Sequence, residues 1–310
     1  MLILSRKEVE QLIDPHELLI ALEDGFKALS AGQLNVPGRN QAIAPKGLLV
    51  GMPAYMPERH MSVKLVTVFH ENTAVPAHQA TITLFDSTTG TPIAFMDGEY
   101  ITAMRTAGGA ILSVKHLARN DSKSLVIIGA GVLGHAHLKM IGTLVGIEEI
   151  LIASRNYEHA QALASHDSRA QAVDSIQKAV SQADIVCLCT SSPEPVIQKD
   201  WIQQGTHISS VGYRPPGAEL PRDLVETSHI FVESKVAFND PPVGCSELQG
   251  LSSDFGTELG ELLLNQKEGR RNEAEITIYK SMGHAMEDLV AANLVYQKAV
   301  EQNIGKMIDL

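Results

Sequence analysis

Ser124-Leu-Val-Ile-Ile-Gly129-Ala-Gly131-Val-Leu-Gly134-His-Ala-His-Leu-Lys-Met-Ile141 joins an apolar, β-branched run to three spaced glycines and a helix-like continuation. In that order the pieces read as strand, tight turn, helix. Gly129 permits a sharp turn out of the strand, Gly131 lets the backbone approach a pyrophosphate, and Gly134 lets the helix pack closely on the strand. The helix start presents unpaired N–H groups and the positive end of its dipole to phosphate. The stretch therefore predicts a dinucleotide-binding turn, with Gly129, Ala130, Gly131, Val132, Leu133 and Gly134 as cofactor contacts.

Downstream of this turn the rhythm is strand–helix–strand. Apolar runs at 124–128, 149–153, 185–189, 206–211 and 229–232 are spaced as parallel βαβ units. Upstream the pattern differs. Residues 5–31 carry Leu12, Ile13, Leu18, Leu19, Leu22, Phe26 and Leu29 at helical spacing, closed by Gly32 and Pro37. Short β-prone runs follow at 48–51, 61–69, 80–85 and 92–96, and Asp86-Ser-Thr-Thr-Gly90 reads as a hairpin turn. Residues 101–117 are helical and rich in Ala and Gly. A long helical pattern from about Ile276 to Ile304, interrupted by Gly283, closes the chain. The fold class expected is α/β: a Rossmann-type doubly wound parallel sheet plus an α+β substrate-binding and dimerisation domain. The boundaries expected are 118–285 for the first, and 1–117 together with 286–310 for the second.

Composition narrows the partners. A chain of 310 residues with 44% hydrophobic and 20% charged residues is ordinary globular protein, long enough for two cores. The net charge of −11 opposes general affinity for nucleic acid or an anionic membrane. Cys187, Cys189 and Cys245 form no disulfide framework, and Cys-x-Cys without a further Cys/His cluster is a poor zinc pattern, so no metal is assigned. His135 and His137 lie two apart on a helix and do not share a face. No apolar run reaches membrane-spanning length and the start lacks a signal-peptide pattern, so a cytoplasmic setting is expected.

Which dinucleotide binds is read at the end of the second strand of the βαβ series. NAD sites place an acidic residue there for the ribose 2′-hydroxyl. Here Glu149-Ile-Leu-Ile-Ala153 runs into Ser154-Arg155-Asn156. Arg155 suits a 2′-phosphate, with Ser154 and Asn156 as donors, so NADP(H) is favoured with NAD(H) as the alternative. Thr190, Ser191 and Val211 follow later strands, where loops border a bound cofactor. Three cations lie upstream in apolar surroundings: Arg39, Lys64 and Arg105. Arginine grips carboxylates with two parallel bonds, whereas lysine is a compact charge that releases its proton when desolvated. The trio suits an α-carboxylate beside a reacting amine or imine; each cation alone could equally snorkel or pair with a structural carboxylate.

Lys64-Leu-Val-Thr-Val-Phe-His-Glu-Asn72, Thr102-Ala-Met-Arg-Thr-Ala107 with His116-Leu-Ala-Arg119, the glycine turn, and Tyr279-Lys-Ser-Met-Gly-His-Ala-Met-Glu-Asp-Leu289 together resemble the ornithine cyclodeaminase/μ-crystallin family. The resemblance spans most of the chain. It implies a homodimer joined through the N-terminal sheets, with the final helix returning to the first domain. It implies that Arg39, Lys64 and Arg105 bind the substrate carboxylate and polar groups. Cofactor contacts are implied at the glycine turn, Ser154-Arg155-Asn156, Val211 and Ser281-Met282-Gly283.

One departure bears on the reaction. Cyclodeaminases of the family carry Gly-x-Asp-x-Pro-Gly-Lys-x-Glu-Leu with a catalytic Asp. This chain has Gly212-Tyr-Arg-Pro-Pro-Gly-Ala-Glu-Leu220, with Arg214 at the Asp position, and Leu49-Val-Gly-Met-Pro53 lacks the acidic residue expected before the Met-Pro turn. Arginine is no general base at neutral pH. The expectation is an NAD(P)H-dependent oxidoreductase acting on C=N bonds. It would reduce a cyclic ketimine carboxylate (Δ1-pyrroline-2-carboxylate or Δ1-piperideine-2-carboxylate) to a cyclic L-amino acid such as L-proline, with Lys64 and Arg105 catalytic. Alternatives are an amino-acid dehydrogenase, an ornithine cyclodeaminase, or a non-catalytic NADP-bound binding protein.

Overall fold

A computed structural model describes residues 1–241 and 243–309. In chain order the elements begin with β1 (Leu2–Leu4), α1 (Arg6–Leu12), α2 (Pro15–Ser30), β2 (Asn40–Ala44), β3 (Gly47–Ala54), β4 (Met61–Val68), β5 (His78–Phe85), β6 (Pro92–Asp97) and α3 (Glu99–Leu117). They continue with β7 (Ser124–Ile128), α4 (Val132–Ile141), β8 (Glu149–Ala153), α5 (Tyr157–Ala164), β9 (Ala170–Val173), α6 (Ile176–Val180), β10 (Ile185–Leu188), β11 (His207–Ser210), α7 (Arg222–Val225) and β12 (His229–Val232). The order ends with β13 (Gly256–Glu258), α8 (Leu259–Leu263), β14 (Thr277–Lys280), α9 (Ala285–Gln302) and β15 (Lys306–Met307). Two compact units result, residues 1–105 with 284–310 and residues 106–283, so the division falls inside α3 rather than at its end.

The first unit holds the sheet β15-β1-β6-β5-β4-β3-β2. Strands β2 to β6 form an antiparallel meander, β1 lies parallel to β6, and β15 is antiparallel to β1. The hairpin read at 86–90 is present: the Asp86 carboxylate accepts from Thr88 N at 3.0 Å and Thr89 N at 2.7 Å. The helical region at 5–31 is broken in two. Asp14 caps α2, accepting from His16 N and Glu17 N, and Pro15 takes the first helical position, where its missing N–H costs nothing. The cross-strand row Met52, Lys64, Ile82, Met96 lies on one buried face of the sheet. Met52 and Ala54 pack there against Ala285 and Leu289 of α9.

The second unit holds the sheet β13-β12-β14-β11-β10-β7-β8-β9, with every pairing parallel. Strands β7, β8 and β9 run outward on one side and β10 and β11 on the other, with β14 inserted between β11 and β12, so the order reverses between β7 and β10, where α/β sheets bind ligands. Val126, Ile128, Val186, Leu188, Ile208, Ile230, Val232 and Ile278 fill its core. Each such aliphatic side chain, fully buried, contributes about 1.5–3 kcal/mol of hydrophobic stabilisation.

One sequence expectation is corrected here. Residues 277–280 are not the start of the closing helix but a fully buried strand between β11 and β12. Ile276-Thr-Ile-Tyr279 is β-branched and aromatic, which suits a two-sided buried strand. The helix begins only at Ala285.

Candidate functional site

The first unit places Lys64 and Arg105 on one carboxylate. Lys64 Nζ lies 2.7 Å from Asp288 Oδ2, and Arg105 Nε donates to Asp288 Oδ1 at 2.9 Å. A second Arg105 nitrogen donates to Glu287 at 2.8 Å. All four side chains are at most 3% exposed. The local origin of the acidic pair is a helix start. His284 caps α9 through its ring and its N–H donates to Glu287 at 2.7 Å, which leaves Glu287 and Asp288 in the first turn, where the dipole favours negative charge.

Electrostatics follow from that burial. Desolvation pulls the Lys64 ammonium down to about 8, against the opposing pull of Asp288, and Arg105 and Arg39 push the same way as desolvation. Arg39, half-buried, therefore lies within the field of Lys64. Burial works against the Asp288 carboxylate, yet Arg105 and Lys64 outweigh it and hold the carboxyl below its ordinary value. Of the three cations read from the sequence, Lys64 and Arg105 thus share one carboxylate, and the charge of Arg39 bears on Lys64. Asp288, which lies in the Tyr279–Leu289 stretch quoted above, holds Lys64 and Arg105 together. Glu287 was not singled out, and its signal was available: a Glu three residues after the cap His284.

In the second unit the glycine turn has the expected build. Gly129 sits at φ +114°, and a Cβ there would lie 2.5 Å from the Cys189 carbonyl oxygen. A Cβ on Gly134 would lie 2.1 Å from the Gly129 carbonyl oxygen, whereas Gly131 faces open space. Gly131 caps α4 without any side-chain bond, and Val132 beside it is exposed. Sharp turn, close helix and bare helix start are the donor set a pyrophosphate needs, so these residues fit a dinucleotide.

The remaining expected contacts divide. Arg155 is exposed just after β8, with Ser154 half-buried beside it. Asn156 is the cap of α5, its Oδ1 accepting from Glu158 N at 2.9 Å and His159 N at 3.4 Å. Its amide oxygen thus has a structural duty the sequence did not reveal. Thr190 and Ser191 follow β10, and buried Val211 follows β11. The Met282 and Gly283 N–H groups both donate to the buried Glu233 at 3.0 Å, as does Ser281 Oγ at 2.5 Å. That segment is therefore shaped by Glu233, a residue with no signal in the local sequence to mark it. Arg214, the departure from the cyclodeaminase pattern, is exposed and donates to the Ser191 carbonyl at 3.0 Å. His137 is buried and pushed down to about 4 by desolvation, so it stays neutral. Among the described residues no group of three His, Cys, Asp or Glu could hold a metal ion, and no helix is long and apolar enough to cross a membrane.

A glycine turn at the reversal point of a parallel sheet defines a Rossmann-type dinucleotide-binding unit, accompanied here by an α+β unit with a buried Lys–Asp–Arg cluster. The ornithine cyclodeaminase/mu-crystallin family profile matches residues 1–303, and the chain belongs to that family. It is 36% identical to the ketimine reductase mu-crystallin of Mus musculus over 305 residues, covering 94% of this chain and 96% of the relative. The structure of Thermococcus litoralis Δ1-pyrroline-2-carboxylate reductase in complex with NADH and L-proline is similar at a TM-score of 0.93 and 35% identity, covering 99% of this chain and 100% of that one. An archaeal alanine dehydrogenase dimer with bound NAD is similar at a TM-score of 0.91 and 27% identity, covering 100% and 99%.

Proposed function

We propose that this protein is an NAD(P)H-dependent reductase of cyclic ketimine carboxylates, converting Δ1-pyrroline-2-carboxylate or its six-membered homologue to the cyclic L-amino acid. The observation that carries this reading is the buried Lys64–Asp288–Arg105 cluster, found in a chain that closely resembles a reductase holding NADH and L-proline. Reduction adds a hydride to the imine carbon and a proton to the nitrogen. When bound, the dinucleotide supplies the hydride.

The protein's own residues do the rest. Arg39 and Arg105 orient the carboxylate; Asp288 and Glu287 hold the Arg105 guanidinium in place before substrate arrives, so little ordering remains to be done at the chemical step. Lys64, charged below about pH 8 and fixed by Asp288, holds the proton at its Nζ for the imine nitrogen, directly or through a water. Arg214 offers no base for attack by a side-chain amine, which favours reduction over cyclodeamination.

Arg155 without an acidic neighbour on its strand end supports NADP(H) as the preferred cofactor. A homodimer and a cytoplasmic setting complete the reading. The first is supported by the likeness to a dimeric alanine dehydrogenase, the second by cysteines that are all unpaired and buried.

The test is turnover of five- and six-membered cyclic imine carboxylates with NADPH and NADH, with wild type and Arg155→Ala compared. Reduction of either imine supports the proposal, and Arg155→Ala should then lose about tenfold in NADPH use while NADH use is unchanged. Ammonia and proline from L-ornithine with NAD⁺, or pyruvate amination, in the absence of imine reduction would overturn it.

A further inference from the structure

Three adjacent parallel strands of the second unit, β10, β11 and β14, end in register at Leu188, Ser210 and Lys280. Directly beyond those ends lies a buried charged cluster that the reaction above does not use. Glu219, 2% exposed, accepts from Gly212 N at 2.7 Å, from Ser210 Oγ at 3.3 Å and from Thr190 Oγ1 at 3.1 Å. Lys280 is paired with Glu247 at 2.9 Å and donates to Ser210 Oγ at 3.1 Å and to the Gly212 carbonyl. Glu219 N closes the ring on Glu247 at 3.3 Å. Glu247 pairs with the lysine while Glu219 lies within its field, all three away from water, an arrangement that is costly unless every partner is in place.

Shape points the same way. A Cβ on Gly212 would lie 2.4 Å from a Glu219 carboxylate oxygen, so only glycine lets that carboxylate reach the backbone. A Cβ on Gly217 would lie 2.5 Å from the Pro193 backbone, and Ala218 N donates to the Pro193 carbonyl at 3.2 Å. The loops that follow β10 and β11 are therefore zipped together, with Glu219 at the base. Thr190 in the first of them directly follows Cys189, whose carbonyl abuts the Gly129 turn.

We infer that Glu219 is a positioning residue for dinucleotide binding: its carboxylate ties Thr190 and Gly212 into one rigid rim beside the glycine turn. This rests on the reading of the second unit as the nucleotide site. Glu219→Gln keeps the volume but replaces one acceptor oxygen by an NH2 group, which would face a donor at Thr190 or Gly212.

The experiment titrates NADPH and NADH directly, through the nucleotide's own fluorescence, into wild type, Glu219→Gln and Gly212→Ala; imine turnover is measured separately. Glu219→Gln should weaken nucleotide binding by about tenfold or more, with the imine KM at saturating nucleotide changed less than about threefold. Gly212→Ala, which displaces the same carboxylate without altering its charge, should reproduce the defect, and decides the question if Glu219→Gln does not fold. A merely structural role would lower the melting temperature and leave the dissociation constant of the folded protein alone. Folded variants that bind nucleotide within about twofold of wild type would overturn the inference. Wild type that binds no nucleotide would overturn it together with the proposed function, whereas wild type that binds nucleotide but reduces no imine overturns the function alone.

Discussion

Lys64 and Asp288 lie 2.7 Å apart and almost without solvent, and the pH dependence of the proposed reaction is expected to arise there. Burial has brought the ammonium down to about 8, so Lys64 carries its charge and proton below that pH and loses them above it. Activity on the imine should therefore fall as pH rises through about 8. Asp288 is the group that opposes this depression; removing its charge lowers the lysine further. The pH–rate profile of Asp288→Asn should accordingly show its alkaline limb displaced to lower pH than wild type, with a stability loss of about 3–5 kcal/mol by denaturant unfolding from the stranded cations. A limb that stays where it is would separate Lys64 from the proton.

At the level of elements, the packing of α2 on α9 within the first unit depends on one missing side chain. A Cβ at Gly25 would stand 2.3 Å from Met286 Sδ and 3.1 Å from Val290 Cγ1. The glycine weakens α2 by roughly 1 kcal/mol relative to alanine, so close approach is what retains it. Gly25→Leu cannot be absorbed by Met286 alone and should cost about 1–3 kcal/mol in denaturant unfolding. Since α9 carries Glu287 and Asp288 in its first turn, the same variant should raise the KM for imine with less effect on nucleotide binding.

Over the whole molecule, the alternation of the first sheet leaves Leu49, Leu65 and Phe95 outward on the face opposite Lys64, each 37–40% exposed. An apolar sheet face of this kind suits burial by a second copy, and the proposed homodimer gives it that partner. Leu65→Glu should yield a monomer by sedimentation equilibrium, with the secondary structure intact by circular dichroism. A wild-type protein that is monomeric at micromolar concentration would leave the face without that role.

Much of this was legible from residue order because it is local. The β-branched run into Gly129-Ala-Gly131-Val-Leu-Gly134 dictates strand, turn and helix from steric needs that each lie within a few residues. The β-prone run at 61–69, and the absence of an acid beside Arg155, are read the same way. Lys64 and Arg105 stood out because long cations in apolar surroundings need a partner. What that partner was, only the tertiary structure decided: Asp288 lies 183 residues from Arg105, and an ion pair leaves no periodic trace in a sequence. The same holds for Glu219, Glu233, Glu247 and Lys280, ordinary charged residues until parallel strands bring their ends side by side. It holds too for strand β14, whose four residues resemble the start of the helix behind them until the sheet supplies neighbours on both edges. Local sterics fix the glycine turn, whereas only the tertiary structure buries distant charges against one another.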